Sequence, residues 1–311
     1  MSIYKITNSI FIRKFKIFME QSTPTNLKKS KNIPQIPKSI ILTGKILQSI
    51  SLHLATLYAV KLFRTPIKHK PPKREEMMAK SAQKEMILIP EIGKKIMLYS
   101  YGYSKRKVLL IHGWSGRGTQ LYKIADKLLE NGLMTISFDA PAHGNSESKT
   151  TMMTEFIASA KFLEQKYGPF EIIIGHSLGG MATLNSIKQG IFAKKAVIIG
   201  AGDIITDIIA AFINKLDLNP KMIHKMKNYF LKKFGENIDN YSTSEAAKKV
   251  NIPTLIIHDT NDKEVPVSCA INIRKYAKNG ELLITNSLGH TRILKDDYVI
   301  SKILDFILKE K

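Results

Sequence analysis

Short aliphatic runs alternate with longer stretches of helical period over most of this 311-residue chain. Runs of four to eight apolar residues bounded by turn residues read as strands, and apolar positions three and four apart read as helices. On that basis strands are expected at 85–90 and 94–101, forming an opening hairpin, and then at 108–111, 135–138, 172–174, 196–199, 254–257 and 282–284. Helices are expected around 120–130, 154–167, 178–189, 266–278 and 298–309. Strand and helix take turns, so the fold class is α/β: a mostly parallel, twisted sheet of about eight strands with helices on both faces.

The alternation lapses in two places. Residues 203–249 hold two helical patterns, near 204–216 and 220–234, with Asn219 as a cap ahead of Pro220 and no strand signal. Ile208, Ile209, Phe212 and Ile213 would either line an acyl or aromatic pocket or fix this insertion to the core, with Lys225, Lys227, Lys232 and Lys233 facing water. Residues 38–66 form the second exception, an amphipathic N-terminal helix. Ile46, Leu47, Ile50, Leu54, Leu57 and Tyr58 fall on one face over 38–63, and Lys45, Ser49 and Thr56 lie opposite. Its uncharged stretch is too short and too two-faced to cross a bilayer. Docking on the main domain, 67–311, near the mouth of its pocket is expected, with contact to a membrane surface as the alternative.

Ahead of that helix, residues 1–37 read as a basic, flexible extension. Ile10, Phe11, Phe15 and Phe18 are mixed with Arg13, Lys14 and Lys16, and Pro24, Pro34 and Pro37 follow in a linker. The first part lacks the uncharged core and small-residue cleavage site of a secretory signal. It is either a basic interfacial helix or a stretch upstream of a true start at Met19.

Charge sharpens this picture. The formal net charge is +22, and residues 1–80 carry sixteen Lys/Arg against three acids. Lysines that merely solvate the surface are the first explanation; peripheral contact with an anionic membrane through the basic arm is the second. Nucleic acid is not expected as a partner, because no interleaved aromatics or helix-turn-helix pattern accompany the charge. The one cysteine, Cys269, cannot form an internal disulfide, which suits a reducing compartment such as the cytoplasm, with or without contact to the inner membrane face.

The most specific chemistry lies in the run Ile172-Ile173-Ile174-Gly175-His176-Ser177-Leu178-Gly179-Gly180. A buried strand enters a G-x-S-x-G turn and a helix leaves it. Such a turn forces strained backbone angles on its serine and lifts the hydroxyl above the sheet edge. A serine nucleophile needs a histidine to take its proton and a carboxylate to orient that histidine. Both follow in the chain. Asp259 and Asp262 lie in the loop after strand 254–257, and His290 lies in the loop after strand 282–284. These positions are just past strand C-termini, where open α/β sheets hold their sites.

With these phrases the chain resembles the α/β-hydrolase superfamily, and within it a bacterial group of serine hydrolases without an agreed substrate. The resemblance spans about residues 60–311 and rests on Leu110–Gln120, Phe138–Ser146, Gly175–Gly180, His258–Pro266 and Gly289–Leu294 as they stand here. It implies the α/β-hydrolase fold, with 203–249 as a helical lid. It also implies Ser177 as nucleophile, His290 as general base and acid, and Asp262 as orienting carboxylate, with Asp259 the rival for that last role. Backbone N–H groups of Trp114 and Leu178 would form the oxyanion hole. His112, His143 and His176 would brace loops, and Asp139 and Asn145 would close the turn after strand 135–138.

No metal or other cofactor is expected, since no Cys/His cluster has ligand spacing and Gly113, Gly116 and Gly118 match no phosphate-binding pattern. The expected function is serine hydrolysis of an ester-type acyl bond in a small molecule with a hydrophobic part. A thioesterase, acyltransferase or peptidase would use the same triad. A non-catalytic membrane-surface protein on a hydrolase fold is the alternative from another class.

Overall fold

The computed structural model describes residues 36–235 and 237–309. Among these, eight strands run in chain order: β1 (Gln83–Ile89), β2 (Lys94–Tyr101), β3 (Lys107–Ile111), β4 (Met134–Asp139), β5 (Ile172–His176), β6 (Lys195–Ile199), β7 (Thr254–Asp259) and β8 (Gly280–Thr285). They form one sheet in the order β1-β2-β4-β3-β5-β6-β7-β8, with β2 antiparallel to both neighbours and all other pairs parallel. Every expected strand is present with its ends within two residues of expectation. Aliphatic runs at this spacing leave little choice, because a parallel strand buried on both faces has to be apolar throughout.

Alternate residues divide the core between the two faces. Val108 and Leu110 of β3 pack with Ile124, Leu128, Val299 and Ile303, from helices α4 (Tyr122–Glu130) and α12 (Asp297–Leu308). Leu109 and Ile111 point the other way, toward Phe156, Ile157, Ala160 and Leu163 of α5 (Met153–Tyr167). Helix α6 (Leu178–Lys188) contributes Met181 and Ala182 to that second layer, and its Leu184 meets Ala270 and Ile273 of α10 (Ser268–Tyr276) beneath β6 and β7.

Between β6 and β7 the insertion forms α7 (Ile205–Lys215), α8 (Lys221–Phe234), a 3-10 turn (Ile238–Tyr241) and the short α9 (Thr243–Ala247). Asn219 Oδ1 accepts the Lys221 N–H at 2.9 Å, the expected cap. Ile209 and Ile213 are completely buried, and Ile208 packs against the core layer that holds Met181. These side chains therefore bind the insertion to the body. Lys225, Lys232 and Lys233 are exposed as expected, whereas Lys227 is half-buried in an ion pair with Asp239 at 2.8 Å. The expectation for Lys227 fails because Asp239 approaches it from the following 3-10 turn.

The N-terminal helical region departs furthest from expectation. It consists of two helices, α1 (Lys38–Ile50) and α2 (Leu52–Phe63), parted at Ser51, whose hydroxyl accepts the Leu54 N–H at 3.4 Å. The chain folds back there, so that the Tyr58 hydroxyl donates to the Ile40 carbonyl at 3.2 Å. Small residues, Gly44, Ala55 and Ala59, form the buried contact surface together with Thr56 and Val60. Thr56, expected to face water, is 4 % exposed, while Ile46, Ile50, Leu54 and Leu57, expected to dock, are all exposed. A continuous helix would have aligned those apolar positions in one stripe; the break reassigns the packing to whichever face permits close approach.

Residues 39–311 form one compact unit, so both helices pack as part of the body. Phe63 of α2 meets Phe212 edge-on at 5.2 Å between ring centres and lies 6.1 Å from Phe230, joining α2 to α7 and α8. The basic extension expected over 1–37 lies, through residue 35, outside the described residues. No described helix is long and apolar enough to cross a membrane. The remaining helices are the short α3 (Glu76–Ser81) and α11 (Gly289–Arg292).

Candidate active site

The carboxyl ends of β5, β7 and β8 converge on one rim of the sheet. Ser177 follows the last residue of β5, in a turn with φ 53° and ψ −120°, and Leu178 starts α6 immediately after it. This is the sharp strand-to-helix bend expected from the motif. Its tightness explains the flanking glycines. A Cβ on Gly175 would lie 2.2 Å from the Gly179 carbonyl oxygen, and one on Gly179 would lie 2.1 Å from the Ile111 carbonyl oxygen. Neither backbone atom can move aside.

The Ser177 N–H donates to the Ile199 carbonyl at the end of β6 at 2.9 Å. On the other side of that strand end, a Cβ on Gly200 would sit 3.3 Å from His290 Nδ1 and 3.6 Å from Asp262 Oδ2. The elbow and the imidazole–carboxylate pair thus flank the carboxyl end of β6. His176, next to the serine, has its ring centre 4.6 Å from that of His290, and its Nε2–H donates to the His290 carbonyl at 2.9 Å.

His290 Nδ1 lies 2.7 Å from Asp262 Oδ2, and the carboxylate is 1 % exposed. Oδ1 of the same carboxylate accepts the N–H groups of Glu264 at 2.8 Å and Val265 at 3.0 Å. Burial pushes the Asp262 pKa upward. The hydrogen bond and charge of His290, with the two amides, outweigh burial and hold the carboxyl below its ordinary value.

Asp259 occupies a different role in space. Its Oδ1 accepts from the amides of Asn261 at 2.9 Å and Gly289 at 2.8 Å; its Oδ2 accepts from the Thr285 hydroxyl at 2.7 Å and the Leu288 amide at 3.0 Å. It therefore clamps the end of β7 to the segment that carries His290. His290 itself stands on the one-turn helix α11 instead of in an open loop. Four residues are too few for periodicity to reveal, and Gly289 at φ 66° makes the turn into it.

Trp114 lies in the loop after β3, opposite the elbow; a Cβ on its neighbour Gly113 would come 3.0 Å from Ser177 Cβ. That loop is pinned on both sides of Trp114. The Gly113 N–H donates to Gln120 Oε1 at 2.9 Å, and the Ser115 N–H donates to His143 Nε2 at 3.0 Å. The Leu178 N–H belongs to the first turn of α6, where a helix has no acceptor of its own to offer. The loop after β3 and the start of α6 thus both border the serine.

The surrounding histidines brace this arrangement. His112 donates through Nδ1 to the Gly113 carbonyl at 2.7 Å and accepts the Ala140 N–H at Nε2 at 3.0 Å. His143 donates through Nδ1 to the Pro141 carbonyl at 3.1 Å. Burial lowers the pKa of His112 to about 4, and those of His143 and His176 to about 3, so all three are neutral near pH 7.

This has a measurable consequence. Unfolding would let each of these rings bind a proton below a pH of about 6.5. The unfolded state then holds more protons than the folded one, so stability falls as pH falls. Each buried ring adds to that loss until its folded pKa is reached. Asp262 adds a loss of the same sign at lower pH, as its depressed carboxyl becomes protonated. Urea midpoints are expected to drop steadily between about pH 6.5 and about pH 4.5; a level profile would contradict neutral burial of these rings.

Asp139, completely buried, accepts from the Gly118 amide at 2.7 Å, the Asn145 amide at 2.7 Å and the Tyr99 hydroxyl at 3.0 Å. It ties the loop after β3 to the loop after β4 as well as closing its own turn. Sequence reasoning missed Tyr99 and Gln120, and also Glu75, which accepts from the Thr119 hydroxyl at 2.8 Å and pairs with Arg117 at 3.5 Å. A strap over 64–70 crosses the same loop: the Ile67 N–H donates to Ser115 Oγ at 3.0 Å, and Arg117 Nη2 donates to the His69 carbonyl at 2.8 Å. Among the described residues no group of three or more His, Cys, Asp or Glu side chains could hold a metal ion.

Residues 108–231 match the alpha/beta hydrolase family. No curated protein matches the chain. Among solved structures, it resembles an esterase of Pyrococcus furiosus, at 19 % identity and a TM-score of 0.60, over 79 % of this chain and 97 % of that one. An esterase of Exiguobacterium antarcticum matches at 16 % identity and a TM-score of 0.58, over 73 % of this chain and all of the other. A bromoperoxidase of Bacillus anthracis matches at 19 % identity and 0.56, again over 73 % and all of its length. At such identities the likeness is one of fold.

Proposed function

We propose that this chain is a serine hydrolase of the α/β-hydrolase superfamily acting on an ester-type acyl bond, a reading supported by its fold and by the family match over residues 108–231. The observation that carries this reading is the strained Ser177 elbow beside an imidazole held by a buried carboxylate 2.7 Å away. Esterases among the structurally similar proteins support it at the level of fold.

In this reaction Ser177 Oγ attacks the carbonyl carbon while His290 Nε2 removes its proton. Asp262 keeps the other ring proton on Nδ1 and stabilises the imidazolium. The oxyanion receives hydrogen bonds from the N–H groups of Trp114 and Leu178. His290 then protonates the leaving alcohol, which departs and leaves an acyl-Ser177 ester. Water, deprotonated by His290, releases the acid and restores the serine. The insertion over 203–249 would act as a lid above a substrate with a hydrophobic part, and a cytoplasmic location accords with the single Cys269.

A fluorophosphonate probe tests the premise directly. It should label the protein once, at Ser177, and peptide mapping should find the adduct there. An unlabelled protein, or an adduct elsewhere, would sink the assignment. Given labelling, a panel varying acyl chain and leaving group separates ester from thioester and amide substrates.

A further inference from the structure

The exposed face of the two N-terminal helices is the largest feature that this reaction does not use. Leu42, Ile46 and Ile50 follow one another at intervals of four along α1 and are 60 %, 52 % and 69 % exposed. Leu54 and Leu57 of α2 are 45 % and 39 % exposed, and Lys61 follows one turn after Leu57. Soluble surfaces seldom leave so many large aliphatic side chains together. The same helices bury their small residues, so nothing in the packing of the body required these five to be apolar.

Charge separates the candidate occupants. Residues 38–74 contain eight Lys/Arg (Lys38, Lys45, Lys61, Arg64, Lys68, Lys70, Lys73, Arg74) and no Asp or Glu. The neighbouring α8, which packs on α2, adds five lysines and again no acid, with Leu231 and Phe234 exposed among them; of these cations Lys227 is paired with Asp239 and Lys45 of α1 with Asp217, and the others leave a strong positive excess. A second copy of this chain would bring one cationic face against another like it. Single-stranded nucleic acid would find aliphatic side chains where stacking needs aromatic ones. An anionic bilayer satisfies both halves: aliphatic side chains enter the acyl boundary while lysines meet lipid phosphates.

We propose that the exposed face of α1 and α2, flanked by α8, docks this protein peripherally on anionic membrane surfaces. The helices lie in the plane of the interface and do not cross it. Apolar insertion and lysine–phosphate attraction act together, so weakening either one weakens attachment. This inference stands on the surface alone and does not depend on the hydrolase reading.

The test is flotation of the full chain with vesicles of phosphatidylcholine alone, and with vesicles in which part of that lipid is replaced by phosphatidylglycerol. Two variants accompany it: Ile46→Ser/Ile50→Ser/Leu54→Ser, and Lys61→Gln/Lys225→Gln/Lys232→Gln. All six side chains are exposed, so melting temperatures are expected to stay unchanged. The wild type should float with the anionic vesicles and bind the neutral ones less, with the anionic binding weakened by salt; each variant should bind the anionic vesicles at least about tenfold less well. Three results would overturn the proposal. The first is a wild type that binds neither vesicle; the second is binding of both variants like wild type, which would place attachment elsewhere in the chain. The third is a dimer in sedimentation that the serine variant dissociates, which would make a second copy the occupant.

Discussion

Replacing Ser177 with alanine is expected to lower kcat for a short-chain p-nitrophenyl ester by ~10⁴-fold or more, with little change in thermal stability. The size of the effect follows from the division of labour at the site. Without the hydroxyl no acyl-enzyme forms, and what remains is binding plus oxyanion stabilisation of attack by water. Residues that act as one unit do not contribute additively, so Ser177→Ala/His290→Ala should be scarcely slower than Ser177→Ala alone. The fold is spared because the backbone strain at φ 53° is common to serine and alanine. Full activity in the alanine variant would dismiss Ser177 as nucleophile, whatever the labelling experiment reports.

Asp262→Asn should be nearly as damaging, at ~10⁴-fold in kcat, for a reason that the hydrogen bonds specify. Oδ1 of Asp262 already accepts two backbone N–H groups, from Glu264 and Val265. An asparagine must keep its carbonyl oxygen there, which turns its NH₂ toward His290 Nδ1. The imidazole then carries its proton on Nε2, the nitrogen that the proposed reaction needs as its base. Asp259→Asn presents the opposite profile. All four acceptor positions of Asp259 are filled by donors, three of them amides, so an NH₂ on either side meets an N–H or O–H. The expected cost is about 1–3 kcal/mol of stability with a smaller fall in kcat. Steady-state kinetics and urea unfolding of both variants distinguish the two roles; the reverse ranking in kcat would make Asp259 the orienting carboxylate.

The sheet and the positions of Ser177, Asp262 and His290 were readable because each depends on residues close in sequence. A run such as Ile172-Ile173-Ile174 can be buried on both faces only as a central strand, and G-x-S-x-G after it leaves one conformation open. The bracing around the loop after β3 was not readable. Asp139 finds Tyr99 forty residues away, and Glu75 finds Thr119 forty-four residues away; neither pairing leaves a local pattern. The N-terminal helices were misread for another reason. Periodicity states which residues share a face of a helix, but not whether the helix continues. A hydroxyl at Ser51 was enough to end it, and the faces were then sorted by the clearances of Gly44, Ala55 and Ala59.

The tight elbow also has a consequence for how freely its chemistry could change. The constraints recorded by Gly113, Gly175 and Gly179 fall on the atoms around position 177, whose positive-φ backbone strains any side chain and β-branched ones most. An unbranched reactive group of another kind, a thiol or a carboxylate, could stand there without rebuilding the turn, whereas the glycines beside it admit no exchange. The geometry is thus inherited as a mount, and the reagent it holds is the replaceable part.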